Sequence, residues 1–278
     1  MSEARWVAFT DLDESLLDRE DYSFDPARPA LDVVRQRGIP LVLCTSKTAS
    51  ETLHFRTLLG NEDPFVVEGG GGIYIPKGYF PKLPRLQEDR GAYMLLPLAA
   101  GHEGILKGLG HLKEFTANSI RAFDDMTAEE IAADTKLPLE LARLAKDREF
   151  DEPFKFIRRE GEFASQLPRI AAERYLRVTR GGRYYHLHGD TDKGKAAEIL
   201  IKLFAQKFGR IRTLAVGDSE MDLPMLGAVD VPIAVLREDG RHDTVLRTGV
   251  KDLTCVPQAG PAGWNTGILE VLGSGSSV

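Results

Sequence analysis

The first strand of the fold and the first indication of a functional site lie in the stretch Trp6-Val7-Ala8-Phe9-Thr10-Asp11-Leu12-Asp13-Glu14-Ser15. Its apolar run ends in two carboxylates one residue apart, which is typical of a buried strand followed by a turn. In an open α/β sheet, ligands bind at the carboxyl ends of the strands, and the alternation of an extended chain directs Asp11 and Asp13 to one side. The two carboxylates could therefore share a substrate. The alternative is that they are turn residues without a chemical role.

The composition is that of an ordinary globular protein. The chain has 278 residues, of which 42% are apolar and 28% are charged, and this length is sufficient for two domains. The net charge is −6 and no basic run is present, so we expect no nucleic-acid partner. The acidic balance is compatible with a cation-dependent enzyme and equally with a solvated acidic surface.

The cysteines and the lengths of the apolar runs indicate in which cellular compartment the protein is expected. Cys44 and Cys255 both lie in apolar, strand-like runs, which predicts two buried free thiols in a reducing cytoplasm. The N-terminus lacks the basic-then-apolar pattern of a signal peptide, and no apolar run approaches ~20 residues. We therefore expect a cytoplasmic protein with no membrane partner. The sequence does not indicate an oligomeric state.

The order of elements predicts a parallel sheet interrupted by an insert. After the first strand, helix and strand alternate as they do in parallel sheets with right-handed crossovers. The predicted elements are a helix at 24–38, a strand at 39–44, a helix ending near 59 and a strand at 64–67. The pattern then becomes mixed, with a hairpin of 176–179 and 184–188. It returns with a helix at 192–208 and a strand at 211–216.

We therefore predict an α/β protein with a Rossmann-like parallel-sheet core. Residues 1–82 and 189–278 form this core, and residues 83–188 form an inserted α+β cap domain.

Polar side chains with complementary chemistry follow several of the predicted core strands. They are Asp11 and Asp13 after the first strand, Thr45 and Ser46 after the second, Asp218 and Asp222 after the strand at 211–216, and Lys193 at the start of the helix before it. Carboxylates in one crevice repel each other and need a cation, and oxygen ligands without nearby His or Cys suit Mg²⁺. A hydroxyl and an ammonium are what a phosphate group needs. An aspartate nucleophile requires no deprotonation, and a second carboxyl can carry the leaving group's proton.

These motifs resemble those of the haloacid dehalogenase-like (HAD) phosphohydrolase superfamily. Asp11-Leu12-Asp13-Glu14-Ser15 is similar to its first motif, with Ser15 in place of Thr. Thr45, Lys193 and the run Gly217 to Asp222 are similar to the second, third and fourth motifs. The resemblance implies the HAD core fold, and the insert lies where the type IIB caps of this superfamily lie.

A closer resemblance covers nearly the whole chain. Thr45-Ser46-Lys47-Thr48, the turn Glu68-Gly69-Gly70, the runs 148–153 and 181–186, and Gly260-Pro261-Ala262-Gly263-Trp264 are similar to the mannosyl-3-phosphoglycerate phosphatase family. That family implies a phosphoric monoester hydrolase that acts on a small phosphorylated sugar or sugar acid and gives the compatible solute mannosylglycerate. It also leaves open a glucosyl-3-phosphoglycerate or sucrose-phosphate type of substrate.

The resemblance also implies roles for individual residues. Asp11 is the nucleophile that forms an aspartyl phosphate, and Asp13 is the general acid/base. Mg²⁺ is held by Asp11, by the backbone carbonyl of Asp13 and by Asp218, while Asp222 orients the metal's water or Lys193. The phosphate-binding residues are Ser15, Thr45, Ser46 and Lys193.

Three further residues are candidates for contact with the rest of the substrate. Lys47 could touch a substrate carboxylate, or it could be a solvated residue in the first turn of a helix. Arg183 follows two glycines and could bind a carboxylate or phosphate bidentately, or it could be an ordinary hairpin arginine. His186 and His188 alternate on a strand, and a substrate-binding or packing role for His186 is favoured over metal ligation because no third soft ligand lies nearby.

Three positions depart from the family pattern. Glu14 replaces a usual Gly, Gly69 replaces an Asn, and Met221 replaces an Asn. None of them is a direct chemical participant, but each could alter how the site is supported. Two alternatives therefore remain: a phosphohexomutase-like isomerase, which a bisphosphate activator would reveal, and a non-catalytic ligand-binding relative.

Overall fold

The computed structural model describes residues 4–181 and 184–273. Its strands are β1 (Arg5–Thr10), β2 (Leu41–Cys44), β3 (Phe65–Val67), β4 (Gly72–Pro76), β5 (Glu88–Arg90), β6 (Tyr93–Pro97), β7 (Ile120–Ala122), β8 (Asp151–Phe156), β9 (Arg177–Gly181), β10 (Tyr184–His188), β11 (Ile211–Gly217), β12 (Val231–Leu236) and β13 (Thr254–Ala259).

The helices alternate with these strands. They are α1 (Arg28–Gln36), α2 (Ala49–Leu59), α3 (His102–Phe115), α4 (Ala128–Thr135), α5 (Leu139–Ala145), α6 (Glu160–Phe163), α7 (Leu167–Ala172), α8 (Lys193–Phe208), α9 (Leu223–Gly227), α10 (Thr244–Gly249) and α11 (Gly260–Gly273). Short 3-10 helices lie at Asp25–Ala27, Glu68–Gly70, Phe123–Asp125, Ala164–Gln166 and Glu220–Asp222.

β1, which ends directly before Asp11, lies inside a nine-stranded sheet. The order is β13-β12-β11-β1-β2-β3-β4-β6-β5, and the strands from β13 to β3 are parallel. Both faces of β1 are buried: Val7 and Phe9 pack in one apolar cluster with α8, and Ala8 packs in another with Trp264. Parallel strands covered on both faces read as continuous apolar runs, which is why the sequence predicted this part of the fold correctly.

A second, four-stranded antiparallel sheet has the order β7-β8-β10-β9. Leu109 of α3, Ile170 of α7, and Phe154 and Leu187 of the sheet form its core. The predicted hairpin is present, with Tyr184 opposite Gly181 and His188 opposite Arg177. The predicted class, an α/β core with an additional α+β unit, is confirmed.

The large sheet continues beyond residue 82, where the core was predicted to be interrupted. β4 pairs antiparallel with β6, and β6 with β5, so residues 88–97 extend the large sheet. The division into residues 1–82, 83–188 and 189–278 stays a prediction.

The two cysteines differ in burial. Cys44 in β2 is buried, as expected, but Cys255 in β13 is exposed, so the prediction of a buried thiol there was wrong. The reason is that β13 is an edge strand, and Val256, not Cys255, points into the core. None of the described helices is long and apolar enough to cross a bilayer.

Candidate active site

Several of the predicted site residues meet at one edge of the large sheet. Asp11 follows β1, and its N–H donates to the Val216 carbonyl of β11 at 2.9 Å. The N–H of Thr45, which follows β2, donates to the Val66 carbonyl of β3 at 3.1 Å. Because parallel strands end at the same edge, these hydrogen bonds align the loops that follow the strands.

Three buried carboxylates form a cluster at this edge. Carboxylate oxygens of Asp11, Asp218 and Asp222 lie within 4.8 Å of one another. The Nζ of Lys193 lies 2.7 Å from Asp11 Oδ1 and 2.6 Å from Asp222 Oδ1, and its side chain is 3% exposed. Lys193 is the first residue of α8, and Asp192 caps the N-terminus of this helix. The start of α8 therefore sets the position of the Lys193 ammonium in the cluster.

The cluster holds more negative charge than Lys193 neutralises. Burial, together with the neighbouring carboxylates of Asp222 and Asp13, raises the pKa of Asp11 to about 7 against the attraction of Lys193. Burial and the neighbouring carboxylates raise the pKa of Asp218 well above its ordinary value. The pKa of Lys193 is also raised, because Asp11 and Asp222 outweigh the effect of burial. Oxygen ligands with excess negative charge fit a hard divalent cation such as Mg²⁺.

Asp222 holds the loop after β11 in place. Its Oδ2 accepts hydrogen bonds from the N–H groups of Asp218 at 3.0 Å and Ser219 at 3.2 Å. Gly217 makes this close approach possible, since a Cβ there would lie 2.5 Å from the Cβ of Asp222. Ser15, predicted to bind phosphate, donates its hydroxyl to Asp218 Oδ1 at 3.1 Å and so lies beside the carboxylates.

Thr45 and Ser46, which carry hydroxyl groups, follow β2 at the same edge of the sheet as the carboxylate cluster. Thr45 is fully buried, and its Oγ1 accepts the N–H of Lys47 at 3.1 Å. No acceptor among the described residues takes the Thr45 hydroxyl proton, which leaves it for a ligand. Ser46 is partly buried, and its carbonyl accepts from Arg148 at 3.3 Å.

Lys47 is buried, which excludes the solvated alternative. Its Nζ lies 2.8 Å from Asp13 Oδ1, and the side chains are 7% and 39% exposed, respectively. This ion pair joins the loops after two different strands, so no local sequence pattern predicted it.

The small sheet contributes a polar network to the same region. His186 Nδ1 lies 2.8 Å from Asp151 Oδ2, which also accepts from Arg148 at 2.7 Å. Arg183 lies outside the described residues. His186 and His188 line a cavity of about 520 Å³ between the small sheet and the loop at Met221.

Glu68 fastens this network to the large sheet, a role that sequence reasoning missed. Its carboxylate accepts the N–H groups of Glu149, Phe150 and Asp151 at 2.8–2.9 Å. Burial raises the pKa of Glu68 to about 7, against the opposing effect of Arg148. The available signal was an acidic residue placed directly between an apolar strand and four glycines.

The positions that depart from the family pattern are close to these groups. Glu14 adopts φ 58°, a left-handed conformation that suits the usual glycine, and pairs with Arg19 at 3.5 Å. Met221 lies beside Gly69 and Gly181, where its methyl and sulfur atoms would be 4.0 and 3.4 Å from added Cβ atoms. Met221 therefore lies between the turn after β3 and the hairpin, on the wall of this cavity.

Proteins with similar sequences are named as phosphatases, which is the kind of activity that this arrangement of carboxylates and lysine could support. The chain is 39% identical over 273 residues to the glucosyl-3-phosphoglycerate/mannosyl-3-phosphoglycerate phosphatase of Methanococcoides burtonii, covering 98% of this chain and 99% of that protein. It is 40% identical over 250 residues to the mannosyl-3-phosphoglycerate phosphatase of Pyrococcus furiosus, covering 89% and 97%. No protein-family model matches the chain.

A solved structure supports the fold. A HAD subclass IIB sugar phosphatase superposes with a TM-score of 0.61 at 14% identity, over 96% of this chain and 98% of that one. Fold and site together define a HAD-superfamily phosphatase. Within that superfamily, the chain belongs to the mannosyl-3-phosphoglycerate phosphatase family.

Proposed function

We propose that this protein is a Mg²⁺-dependent phosphatase that converts mannosyl-3-phosphoglycerate to mannosylglycerate and phosphate. The observation that carries the proposal is the buried set of Asp11, Asp218, Asp222 and Lys193, at the carboxyl edge of the sheet in a chain about two-fifths identical to phosphatases of that name.

The chemistry we propose proceeds in two steps through Asp11. An Asp11 carboxylate oxygen attacks phosphorus, the bond from phosphorus to the ester oxygen breaks, and the Asp13 carboxyl gives its proton to that oxygen. A water molecule then attacks the phosphorus of the aspartyl phosphate, Asp13 takes its proton, and phosphate leaves with Asp11 restored. The 2.7 Å contact of Lys193 with Asp11 supports a role for its ammonium in binding a phosphate oxygen. The hydroxyl of Thr45 would bind another, and Ser46 and Ser15 are the further proposed phosphate-binding residues.

The metal site would be formed by Asp11, Asp218 and the backbone carbonyl of Asp13, with Asp222 holding the loop. Bound Mg²⁺ would neutralise the charge that develops on the phosphoryl oxygens. The excess of carboxylate over ammonium described above supports this assignment.

Recognition of the leaving group belongs, in this proposal, to the small sheet and the β2 loop. Lys47 and His186 face the region between the two sheets, and Arg183 remains a predicted contact on the hairpin. Glucosyl-3-phosphoglycerate is a second candidate substrate, because the Methanococcoides burtonii relative is named for both sugars. For the compartment we propose the cytoplasm, in keeping with two cysteines that form no disulfide and with synthesis of a compatible solute.

Phosphate release from a panel of esters tests the proposal. The panel comprises mannosyl- and glucosyl-3-phosphoglycerate, mannose 6-phosphate and sucrose phosphate, each with Mg²⁺ and with chelator. We expect Mg²⁺-dependent release with the highest kcat/KM on one of the two phosphoglycerates. A preference for a hexose phosphate, or return of phosphate to the sugar in the presence of a bisphosphate activator, would contradict it.

A further inference from the structure

Lys47 is enclosed by groups that preserve its charge. Besides Asp13 at 2.8 Å, its Nζ has Glu51 at 3.9 Å, and it faces the rings of Tyr22 and Phe55 with centroids at 4.9 and 5.3 Å. A cation is attracted both by carboxylates and by aromatic ring faces. The side chain of Lys47 is thus held as a cation with little exposure to solvent, while its partner Asp13 is 39% exposed.

The ion pair restrains Asp13 in the free protein. No other cation of residues 4–181 or 184–273 lies within ion-pair distance of Asp13. A general acid/base has to approach the ester oxygen between phosphorus and the leaving group. A carboxylate held at 2.8 Å by a buried ammonium has to give up that contact before it can turn to another atom.

A small cavity shows where the leaving group would meet this pair. A volume of about 130 Å³ is lined by Asp13, Ser46, Lys47, Arg148 and His186, among others. Because Asp13 is the proposed general acid, the ester oxygen of the leaving group has to come within hydrogen-bond reach of Asp13, which lines this cavity. The volume suits a few atoms, such as a carboxylate. Lys47 and Arg148 supply positive charge on its wall, next to the carboxylates of Asp13 and Glu51.

We propose that Lys47 is a positioning residue that exchanges partners when substrate binds. In the free protein its ammonium holds the Asp13 carboxylate. A carboxylate on the leaving group then takes over the ammonium, and the released Asp13 takes a proton from water and turns to the ester oxygen as its general acid. This inference rests on the proposed function, since it concerns phosphomonoesters whose leaving group carries a carboxylate. Such a carboxylate would then accelerate the reaction as well as strengthen binding.

The unmodified enzyme provides the first test. Mannosyl-3-phosphoglycerate is compared with a neutral ester, the same compound with its carboxylate reduced to an alcohol. The exchange predicts that kcat is higher on the carboxylated ester by roughly 10–100-fold, the effect of one hydrogen-bonded charge contact of the usual strength. A difference confined to KM would overturn the exchange, because it would mean that the carboxylate is bound without releasing Asp13.

The variant Lys47→Met provides the second test, because it removes the ammonium and keeps the apolar stem. We expect kcat/KM on the carboxylated ester to fall by about 100-fold and kcat on the neutral ester to rise, since Asp13 is no longer held. Lys47→Arg keeps the charge and should retain the preference for the carboxylate. Equal losses on both esters, or no gain on the neutral one, would overturn the proposal.

An error in the proposed function and an error in the partner exchange would give different experimental results. If the unmodified enzyme releases no phosphate from either phosphoglycerate, the proposed function is wrong. If it does release phosphate, but with the same kcat on the carboxylated and neutral esters, only the partner exchange is wrong. Should Lys47→Met fail to fold in thermal unfolding, the comparison of kcat and KM in the unmodified enzyme still decides.

Discussion

At the scale of single residues, charge balance determines what the site can do. Lys193 touches both Asp11 and Asp222, while Asp218 is paired only with the hydroxyl of Ser15 among the described contacts. One buried ammonium does not balance the charge of three buried carboxylates, and uncompensated buried charge is unfavourable. A bound divalent cation would supply the missing positive charge, and the oxygens of a phosphate would bind to the cation and to the ammonium.

The role of Asp13 is tested by Asp13→Asn. As the general acid/base, it should contribute roughly 10²–10⁴-fold to turnover of a sugar phosphate, whose alkoxide leaving group needs a proton. p-Nitrophenyl phosphate has a leaving group that departs without one, so its first step should be affected much less. Rates of aspartyl-phosphate formation under single-turnover conditions measure both. Equal losses on the two esters would argue against proton donation by Asp13.

The metal site is tested by Asp218→Ala. Chelator should silence the enzyme and Mg²⁺ should restore it, and the variant should need roughly 10–100-fold more Mg²⁺ for half-maximal activity. Asp190→Ala is a suitable control, because Asp190 is exposed and pairs with Lys195. An unchanged Mg²⁺ titration in Asp218→Ala would contradict the assignment of this carboxylate.

At the scale of elements, the position of α8 relative to the turn after β3 sets the location of Lys193. Gly70 has φ 104°, and a Cβ there would lie 2.3 Å from the Asp192 carbonyl, directly before α8. The Thr191 hydroxyl donates to the Gly70 carbonyl at 2.7 Å and ties the two segments together. The turn and the helix therefore approach as closely as backbone atoms allow.

The variant Gly70→Ala tests this contact. We expect it to lower stability by about 2–4 kcal/mol, combining a positive φ with a steric clash, and to lower kcat by moving Lys193. Gly78→Ala is the matched control, since Gly78 has φ 79° but no atom within 4 Å of its Cβ position. It should cost only about 1–2 kcal/mol and leave kcat unchanged. Urea unfolding and kcat measure both, and similar kcat values in the two variants would show that α8 is not displaced.

The sequence predicted the elements whose signal is local. The apolar runs before Asp11, Thr45 and Asp218 identified three parallel strands, and a motif on each gave a correct placement at one edge of the sheet. The sequence did not predict that residues 88–97 extend the large sheet, because antiparallel edge strands with an exposed face, such as β5, carry little apolar pattern.

At the scale of the whole molecule, the two sheets are joined through Glu68. Its carboxylate binds the backbone at 149–151, and the ring of Phe150 packs against Gly71 and Gly72. The Lys47–Asp13 pair and the Glu68 contacts both join residues that are far apart in the chain. A single sequence contains no signal for such pairings, so these parts of the site required the structure.

The junction at Glu68 predicts a pH dependence of stability. The pKa of Glu68 is about 7 in the folded protein, above its ordinary value of 4.5, so the folded form binds more protons than the unfolded chain between these values. Stability contributed by this group is complete below about pH 4.5 and is lost as the pH rises to about 7.

The variant Glu68→Gln should lack this component. Its free energy of unfolding should fall less than that of the unmodified protein between pH 5 and pH 8, by up to about 3 kcal/mol. Urea unfolding at both pH values measures it, and Glu103→Gln, an exposed change, serves as control. Parallel pH profiles for Glu68→Gln and the unmodified protein would contradict the prediction.

In the proposed mechanism, Asp11 becomes phosphorylated during hydrolysis. The most direct measurement is the mass of the intact protein after acid quench of a single turnover with mannosyl-3-phosphoglycerate and Mg²⁺. We expect a transient gain of one phosphoryl group in the unmodified enzyme. In Asp11→Asn we expect neither that gain nor phosphate release, with an unchanged fold by circular dichroism. Phosphate release by Asp11→Asn at a rate near that of the unmodified enzyme would contradict it.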